Sequence, residues 1–402
     1  MDHPTAAVAF QRLREHYLER PLVLYTGAGV SHSDTGQGVG DWDEFLQMLA
    51  DQHLDAAQLS AYQEASAKEE PWDKASLLAR ALGPAGLRGA IYDHVRSPGV
   101  FQKGYPGLLQ RGFVRHTATL RAVAAFAVSM VAYSVGQRGG GEVVYPRVTA
   151  NPRVPAILTT NYDPYLEAAA SSMFRTRIRT YPLKPMGGVG SSVGRVEQTP
   201  VFHIHGYVSP FRYDPAKNII NPVLTRSDYE SAWDNRADSY TLGPQVHLLR
   251  HHTVLFVGFS FRDRWVRDLL RQIREERELS EKRSAGRRRT HFALVPATDV
   301  ARRGADFFAD LGVEPIPWTQ PSEVVDVLSA LYVAGIAHDI SSSGALELVE
   351  LTPVRPNGSR PNGYATHIND PASAGYFWRN LERAWHNPLD GPLPGTRIKQ
   401  GI

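Results

Sequence analysis

Cysteine is absent from the 402-residue chain. Its absence excludes disulfides, a thiol nucleophile and any Cys-ligated zinc. It also removes the usual mark of a small secreted scaffold. A strong excess of one charge is missing too. Lys and Arg number 44 against 41 Asp and Glu, a formal net charge of +3, too mild a surplus to imply nucleic-acid binding by itself. The most apolar later stretch, residues 118–135, contains Arg121 among several Ala and Ser residues. A membrane span needs about 20 strongly apolar residues, so a buried helix is expected there, and no membrane contact. Residues 1–19, with Arg12, Arg14, Glu15 and Glu19, read as an amphipathic helix lacking the apolar core of a signal peptide. A cytoplasmic protein is therefore expected. No internal repeat of fixed period is present, and no carboxylate cluster suits the metal ions of a nuclease.

What is present is a composition of 42% apolar and 21% charged residues, that of a soluble globular protein with a sizeable core. Short apolar runs at 21–25, 156–159, 201–204, 253–257 and 291–295 read as buried strands. Helical patterns at 164–171, 226–233, 262–278 and 322–332 alternate with the later ones. Continuous apolar strands alternating with helices predict a parallel sheet covered on both faces, an α/β fold. Between the first and second strands, residues 41–135 are helical in pattern, with breaks at Pro71, Pro84, Pro98 and Pro106. Residues 136–153, rich in Gly and Pro, read as a connector. Residues 187–194 (GGVGSSVG) read as a flexible loop and candidate lid. Beyond residue 335 the periodicity fades, apart from an aromatic amphipathic segment at Tyr376–Trp385 that would dock on a partner or on the protein's own core.

The chemistry-bearing residues gather where strands end. Thr26-Gly27-Ala28-Gly29-Val30-Ser31 follows the first strand. Glycines there let the backbone turn tightly and approach a pyrophosphate, whose charge backbone N–H groups can meet. His32 stands where a dinucleotide fingerprint has its third glycine. Gly40-Asp41-Trp42 lies shortly after. Thr159-Thr160-Asn161-Tyr162-Asp163 ends the second strand, His203-Ile204-His205-Gly206 the third and Gly258-Phe259-Ser260-Phe261-Arg262-Asp263 the fourth. Open parallel sheets bind ligands at their carboxyl edge, and polar residues converging there are hard to explain by packing. Each piece has a plainer reading: Asn161 as a turn residue, His205 as a core histidine, and Arg287-Arg288-Arg289 with Lys282 and Arg283 as a solvated loop. His251-His252 reads as the entry to a strand. While the strand lasts, His203 and His205 point to the same face. Position at the strand end, beside Gly206, favours His205 as the functional one.

Taken together, and in this order, the segments resemble the sirtuin family. Gly27-Ala28-Gly29-Val30-Ser31 is similar to its G-A-G-x-S turn, and Gly40-Asp41-Trp42 to its P-D-F segment. Thr160-Asn161-Tyr162-Asp163 is similar to Q-N-x-D, His205-Gly206 to the catalytic H-G pair, and Gly258-Phe259-Ser260 to G-T-S. The likeness runs discontinuously over about residues 20–300. Sirtuin deacylases carry a four-cysteine zinc module, for which this chain has no cysteine. The missing module and the long insertion resemble the zinc-less sirtuin-like effectors of bacterial anti-phage defence, which degrade NAD⁺.

The resemblance implies a Rossmann-like parallel sheet with helices on both faces and an inserted helical subdomain. It implies a catalytic domain over residues 1–335, the insertion over about 41–150, and a C-terminal docking extension over 336–402. The implied reaction is hydrolysis of NAD⁺ to nicotinamide and ADP-ribose, with NAD as substrate and no zinc. Breaking the nicotinamide–ribose bond releases a neutral leaving group, so positioning, hydrogen bonds and one base suffice. Asn161 would orient the ribose hydroxyls or a water, and His205 would be the general base. Asp163 would hold the carboxamide. Gly27, Ala28, Gly29, Ser31, Gly258 and Ser260 would line the phosphates and ribose, with Asp41, Trp42 and Asp263 as further cofactor contacts. A homo-oligomer is expected, activated by a partner such as a HerA-type DNA-translocating ATPase or an Argonaute-like sensor. The alternatives are a non-catalytic module sensing NAD or ADP-ribose, and a protein deacylase.

Overall fold

The computed structural model describes residues 4–31, 42–66, 71–95, 118–128, 130–138, 141–149, 151, 153–174, 179–181, 199–208, 219–220, 223–234, 242–281 and 290–342. Asp41, the 187–194 loop, the basic run at 282–289, the breaks at Pro98 and Pro106, and the Tyr376–Trp385 segment lie outside them.

Helix α1 (Pro4–Glu19) leads into β1 (Leu22–Thr26), and a short 3-10 turn follows at Ala28–Val30. The insertion then supplies α2 (Trp42–His53), α3 (Ala56–Ser66) and α4 (Pro71–Val95). Helix α4 breaks at Gly83, where φ is +74, just before Pro84. Next come α5 (Ala118–Val128), β2 (Met130–Arg138), β3 (Gly141–Thr149), β4 (Ile157–Thr159), α6 (Tyr165–Phe174), β5 (Arg179–Tyr181) and β6 (Pro200–His203). After the short β7 (Tyr207–Val208) and β8 (Ile219–Ile220) stand α7 (Arg226–Asp234), α8 (Leu242–His251), β9 (Thr253–Val257) and α9 (Arg264–Glu281). The chain closes with β10 (His291–Pro296), α10 (Ala297–Arg303), α11 (Ala305–Asp310), β11 (Val313–Trp318) and α12 (Pro321–Ser342).

Seven strands form one sheet in the order β11-β10-β9-β1-β4-β6-β5, and every pairing in it is parallel. The first strand sits in the middle; the chain builds outward on one side, then returns to build the other. This is the doubly wound, Rossmann-like arrangement. Its switch point lies between β1 and β9, the crevice where such sheets bind ligands.

Side-chain alternation explains the two layers of helices. Leu22 and Leu24 of β1 face a core with Ile157, Leu255 and Phe292, covered by Leu13 of α1, Phe126 of α5, Ala169 of α6 and Leu331 of α12. Val23 and Tyr25 face the opposite core, covered by Leu249 of α8, Phe308 of α11 and the Val266, Leu269, Leu270 and Ile273 stripe of α9. That stripe follows the helical period. A third core, built from Phe45, Leu46, Leu49, Leu78 and Ile91 of the insertion, closes over Tyr162, Val208 and Leu224. The insertion therefore packs directly on the loop that carries Asn161.

Two expectations about the insertion are corrected. The apolar helix expected over 118–135 ends at Val128, and residues 136–153 are not a plain connector. Strands β2 and β3 form an antiparallel hairpin from Met130 to Thr149. The glycines at 139–141 join two runs rich in Val and Tyr, residues with strong strand preference. Helix α12 continues to Ser342, so the expected start of the C-terminal extension at 336 falls inside a helix. His251 ends helix α8 and His252 leads directly into β9 at Thr253, the strand entry expected there. Among the described residues, no helix is long and apolar enough to cross a membrane.

Candidate active site

The glycine turn after β1 and the turn after β9 are built into each other. The Gly27 N–H donates to Val257 O at 3.1 Å and the Gly29 N–H to Gly258 O at 3.0 Å. A Cβ on Gly27 would stand 2.6 Å from Gly258 O; one on Gly29 would stand 2.9 Å from Gly258 Cα. Gly258 has a φ of +62, and its own Cβ would meet Val30 N at 2.5 Å. Backbone packs on backbone here, which only glycine permits. The structure thus assigns two of the amides expected to face a pyrophosphate to the sheet instead. The Val30 and Ser31 N–H groups close the 3-10 turn on Gly27 O and Ala28 O, which leaves Ala28 as the amide of the turn without such a partner.

At the end of β4, Asn161 is held on three sides. Its N–H donates to Thr159 Oγ1 at 3.1 Å, and its Nδ2 donates to Gly27 O and to Ser31 Oγ, each at 3.2 Å. A carbonyl oxygen only accepts, so the amide orientation is fixed by the network, and Oδ1 is the side-chain atom left for substrate. Ser31 in turn donates to Asp163 Oδ1 at 3.4 Å, which also accepts the Tyr165 N–H at the start of α6. Burial pushes the Asp163 carboxyl up to about 7, against the pull of Tyr165 N–H, His203 and Ser31.

The third strand ends in a turn at residues 204–205, and Gly206 has a φ of +97. That turn sends the two histidines apart. His203 is buried, its Nδ1 2.6 Å from Asn161 O and its Nε2 2.8 Å from Glu167 Oε1. His205 faces a separate group: its Nε2 lies 3.2 Å from Asp263 Oδ2 and 3.3 Å from Tyr229 Oη, and Tyr229 Oη donates to the same carboxylate oxygen at 3.3 Å. Burial opposes ionisation of Asp263, but its bonds to His205 and to the Val266 and Trp265 amides hold it below the ordinary carboxylate range. An ionised Asp263 fixes the His205 proton on Nε2 and leaves Nδ1 as the basic nitrogen. Its other oxygen accepts the Val266 N–H at 3.2 Å, capping α9. One carboxylate therefore anchors a helix and orients His205.

Asp263 reaches that place through a strained residue. Phe261 is fully buried with a φ of +54, a conformation costing an L-residue about 1–2 kcal/mol. Its ring packs against Phe256 and Phe259, both at 5.0 Å. Arg303 clamps the adjoining carbonyls of Ser260 and Phe261.

Among the residues singled out from sequence, Gly27, Gly29, Gly258, Asn161, Ser31 and Asp163 form one bonded cluster, to which Ala28 belongs by the turn. His205 and Asp263 form a second. The Tyr162 ring stands between, 6.4 Å from His205 and 5.4 Å from Trp42. Trp42 thus packs on the site from the insertion. Ser260 is exposed, its Oγ accepting the Arg262 N–H at 3.4 Å. Tyr229 and Gln245 were not legible as site residues: no local motif marks them. With His205, Asp263 and Trp265 they line a small pocket that opens to solvent. Trp72 of the insertion closes on Tyr229 at 5.7 Å, and Asp73 takes a bidentate ion pair from Arg226 on the same helix. Among the described residues, no group of three or more His, Asp or Glu is arranged to hold a metal ion.

Residues 155–316 match the family model of the SIR2-like domain. The matched span takes in Asn161, Asp163, His205, Gly258 and Asp263, and it points to NAD-dependent, sirtuin-type chemistry. It begins just before β4, so β1 and its glycine turn lie outside the match and stand beside it through the sheet. No curated protein matches the chain.

Proposed function

We propose that the protein hydrolyses NAD⁺, cleaving the nicotinamide–ribose bond to release nicotinamide and ADP-ribose. The observation that carries this reading is the pairing of His205 with an ionised Asp263 beside an asparagine bonded to the glycine turn. The SIR2-like match supports NAD as the substrate. The dinucleotide would enter at the switch point, with its pyrophosphate near the Ala28 amide and its ribose near Asn161 Oδ1 and Ser31. As nicotinamide departs, positive charge develops on the ribose. His205 Nδ1 takes the proton of the attacking water, while Asp263 stabilises the resulting imidazolium. The absence of cysteine argues against the four-cysteine module of deacylases.

We further infer, from the family resemblance, that the activity depletes NAD⁺ in anti-phage defence. It would be held silent until a partner acts, such as a HerA-type DNA-translocating ATPase or an Argonaute-like sensor, with the chain assembled as a homo-oligomer. The test is release of nicotinamide and ADP-ribose from NAD⁺ by wild type, Asn161→Ala and His205→Ala, alone and with the neighbouring gene product and DNA. Loss of a positioned base lowers rate by about 10²–10⁴-fold, so His205→Ala should fall by at least about 100-fold, and Asn161→Ala should fall as well through lost positioning. NAD⁺ binding without turnover under every condition would favour a sensor. Nicotinamide release only with an acylated peptide would identify a deacylase.

A further inference from the structure

We propose that the buried pair His203–Glu167 is a positioning device for Asn161, holding its main chain from beneath while its side chain serves the substrate. The proposal rests on the reading of Asn161 as the residue that orients ribose or water. His203 is the last residue of β6 and pairs in register with Thr159 of β4, two residues before Asn161. Its side chain is 1% exposed and that of Glu167 is 7% exposed. Nδ1 lies 2.6 Å from the Asn161 carbonyl oxygen and Nε2 lies 2.8 Å from Glu167 Oε1.

A carbonyl oxygen cannot donate, so Nδ1 must carry a proton. Nε2 then faces a carboxylate oxygen. Either Nε2 is protonated as well, or Glu167 carries the proton and donates it. In both states the pair holds one proton more than a neutral Nδ1–H imidazole beside a carboxylate. Without that proton, a ring lone pair and a carboxylate oxygen would face each other at 2.8 Å in a site closed to water, and the pair would separate. The ring would then tilt away from Asn161 O. The groups acting on His203 are Glu167 from α6, Asp163 and the Asn161 carbonyl from the β4–α6 loop, and the Tyr207 ring at 4.6 Å. Burial opposes its positive charge, but the two carboxylates and the carbonyl outweigh burial, and its pKa is raised. His203 does not touch the His205–Asp263 base. Its effect on the reaction runs through the Asn161 backbone.

Three variants separate the two halves of the device. In His203→Asn the amide nitrogen replaces Nδ1 and keeps a donor for Asn161 O; in His203→Gln it replaces Nε2 and keeps only the contact with Glu167. Glu167→Gln removes the carboxylate. His203→Gln should lose at least about tenfold in kcat at unchanged KM, and His203→Asn should retain most of it. In Glu167→Gln the alkaline limb of the kcat–pH profile should move to lower pH. Two nuclear magnetic resonance readouts do not need turnover. Nδ1 of His203 should carry a proton at pH 7 in wild type, and the proton shared between Nε2 and Glu167 should be lost at lower pH in Glu167→Gln. The Asn161 side-chain amide signal should shift in His203→Gln and stay in place in His203→Asn. If wild type turns over no NAD⁺, the hydrolase reading fails, while these signals still decide the pair. An unprotonated Nδ1 at pH 7, an Asn161 amide indifferent to His203→Gln, or an unmoved alkaline limb in an active Glu167→Gln enzyme would each overturn the proposal.

Discussion

Replacing Gly258 with alanine tests whether the two glycine turns are fused by close backbone approach or only by chain geometry. Two separate penalties act at this position. A left-handed φ of +62 costs an L-residue about 1–2 kcal/mol. The new Cβ would also stand 2.5 Å from Val30 N and 2.7 Å from Gly29 C, whereas carbon atoms rest about 3.5–4.0 Å apart. Both neighbours are backbone, so no side chain can swing away, and overpacking of this kind adds about 1–3 kcal/mol. Gly312 supplies the control: its φ is +67, and a Cβ there would meet only carbons of the Arg274 side chain, at 3.4 Å and beyond. Gly312→Ala therefore carries the conformational strain with ordinary side-chain contact. In a domain of this size each kcal/mol moves Tm by about 2–4 °C. Gly258→Ala should melt roughly 2–12 °C below Gly312→Ala in a calorimetric scan. It should also weaken ADP-ribose binding, because the Gly27 carbonyl that orients Asn161 would move with the turn. Equal melting temperatures for the two variants would refute the close-approach argument.

Further expectations concern the carboxylates. The buried Asp163 has its pKa raised from the ordinary 3.8 to about 7, so between those values the folded state binds more protons than the unfolded state. Its contribution to stability is present at low pH and falls as pH rises through that window, levelling above about pH 7, by up to roughly 4 kcal/mol. Asp163→Asn should lose this slope; a Tm difference from wild type that stays the same at pH 5 and pH 8 would contradict it. Asp263→Asn keeps an acceptor for the α9 cap but removes the charge that orients His205. It should cut kcat by about 10²–10⁴-fold with only a small change in Tm. Tyr229→Phe removes the hydroxyl that contacts both His205 and Asp263, a hydrogen bond being worth about 1 kcal/mol, and should cost about tenfold in kcat. A larger loss for Tyr229→Phe than for Asp263→Asn would reverse the roles given to them.

The sheet was legible because burial on both faces leaves a signature in composition. The run Thr253–Val257, apolar after Thr253, forms β9 with those same bounds. Other strands escaped for physical reasons. Strand β11, Val313–Trp318, contains Pro315 and Pro317, which argue against a strand interior. The prolines are tolerated because β11 is the edge of the sheet, and residues two apart turn their missing N–H groups to the same side. Strand β5 is three residues long at the opposite edge, too short for any periodicity to register.

By itself, the sequence determined which chemistry stands at each strand end: the glycines of the first and fourth turns, Asn161 after the second, and a His-x-His pair after the third. These are local facts of spacing and residue type. Tertiary structure alone decided how they are used. A two-residue alternation gives His203 and His205 one direction, but the turn at Gly206 sends one beneath Asn161 and the other to Asp263. It also brought Tyr229 from a distant helix to His205, and it placed Asp263 on His205 by way of a strained Phe261. It turned the Gly27 amide onto the end of β9 and the Gly29 amide onto the turn that follows it. Each outcome depends on which segments the parallel sheet sets side by side, and long-range pairing of that kind leaves no mark on the residues between.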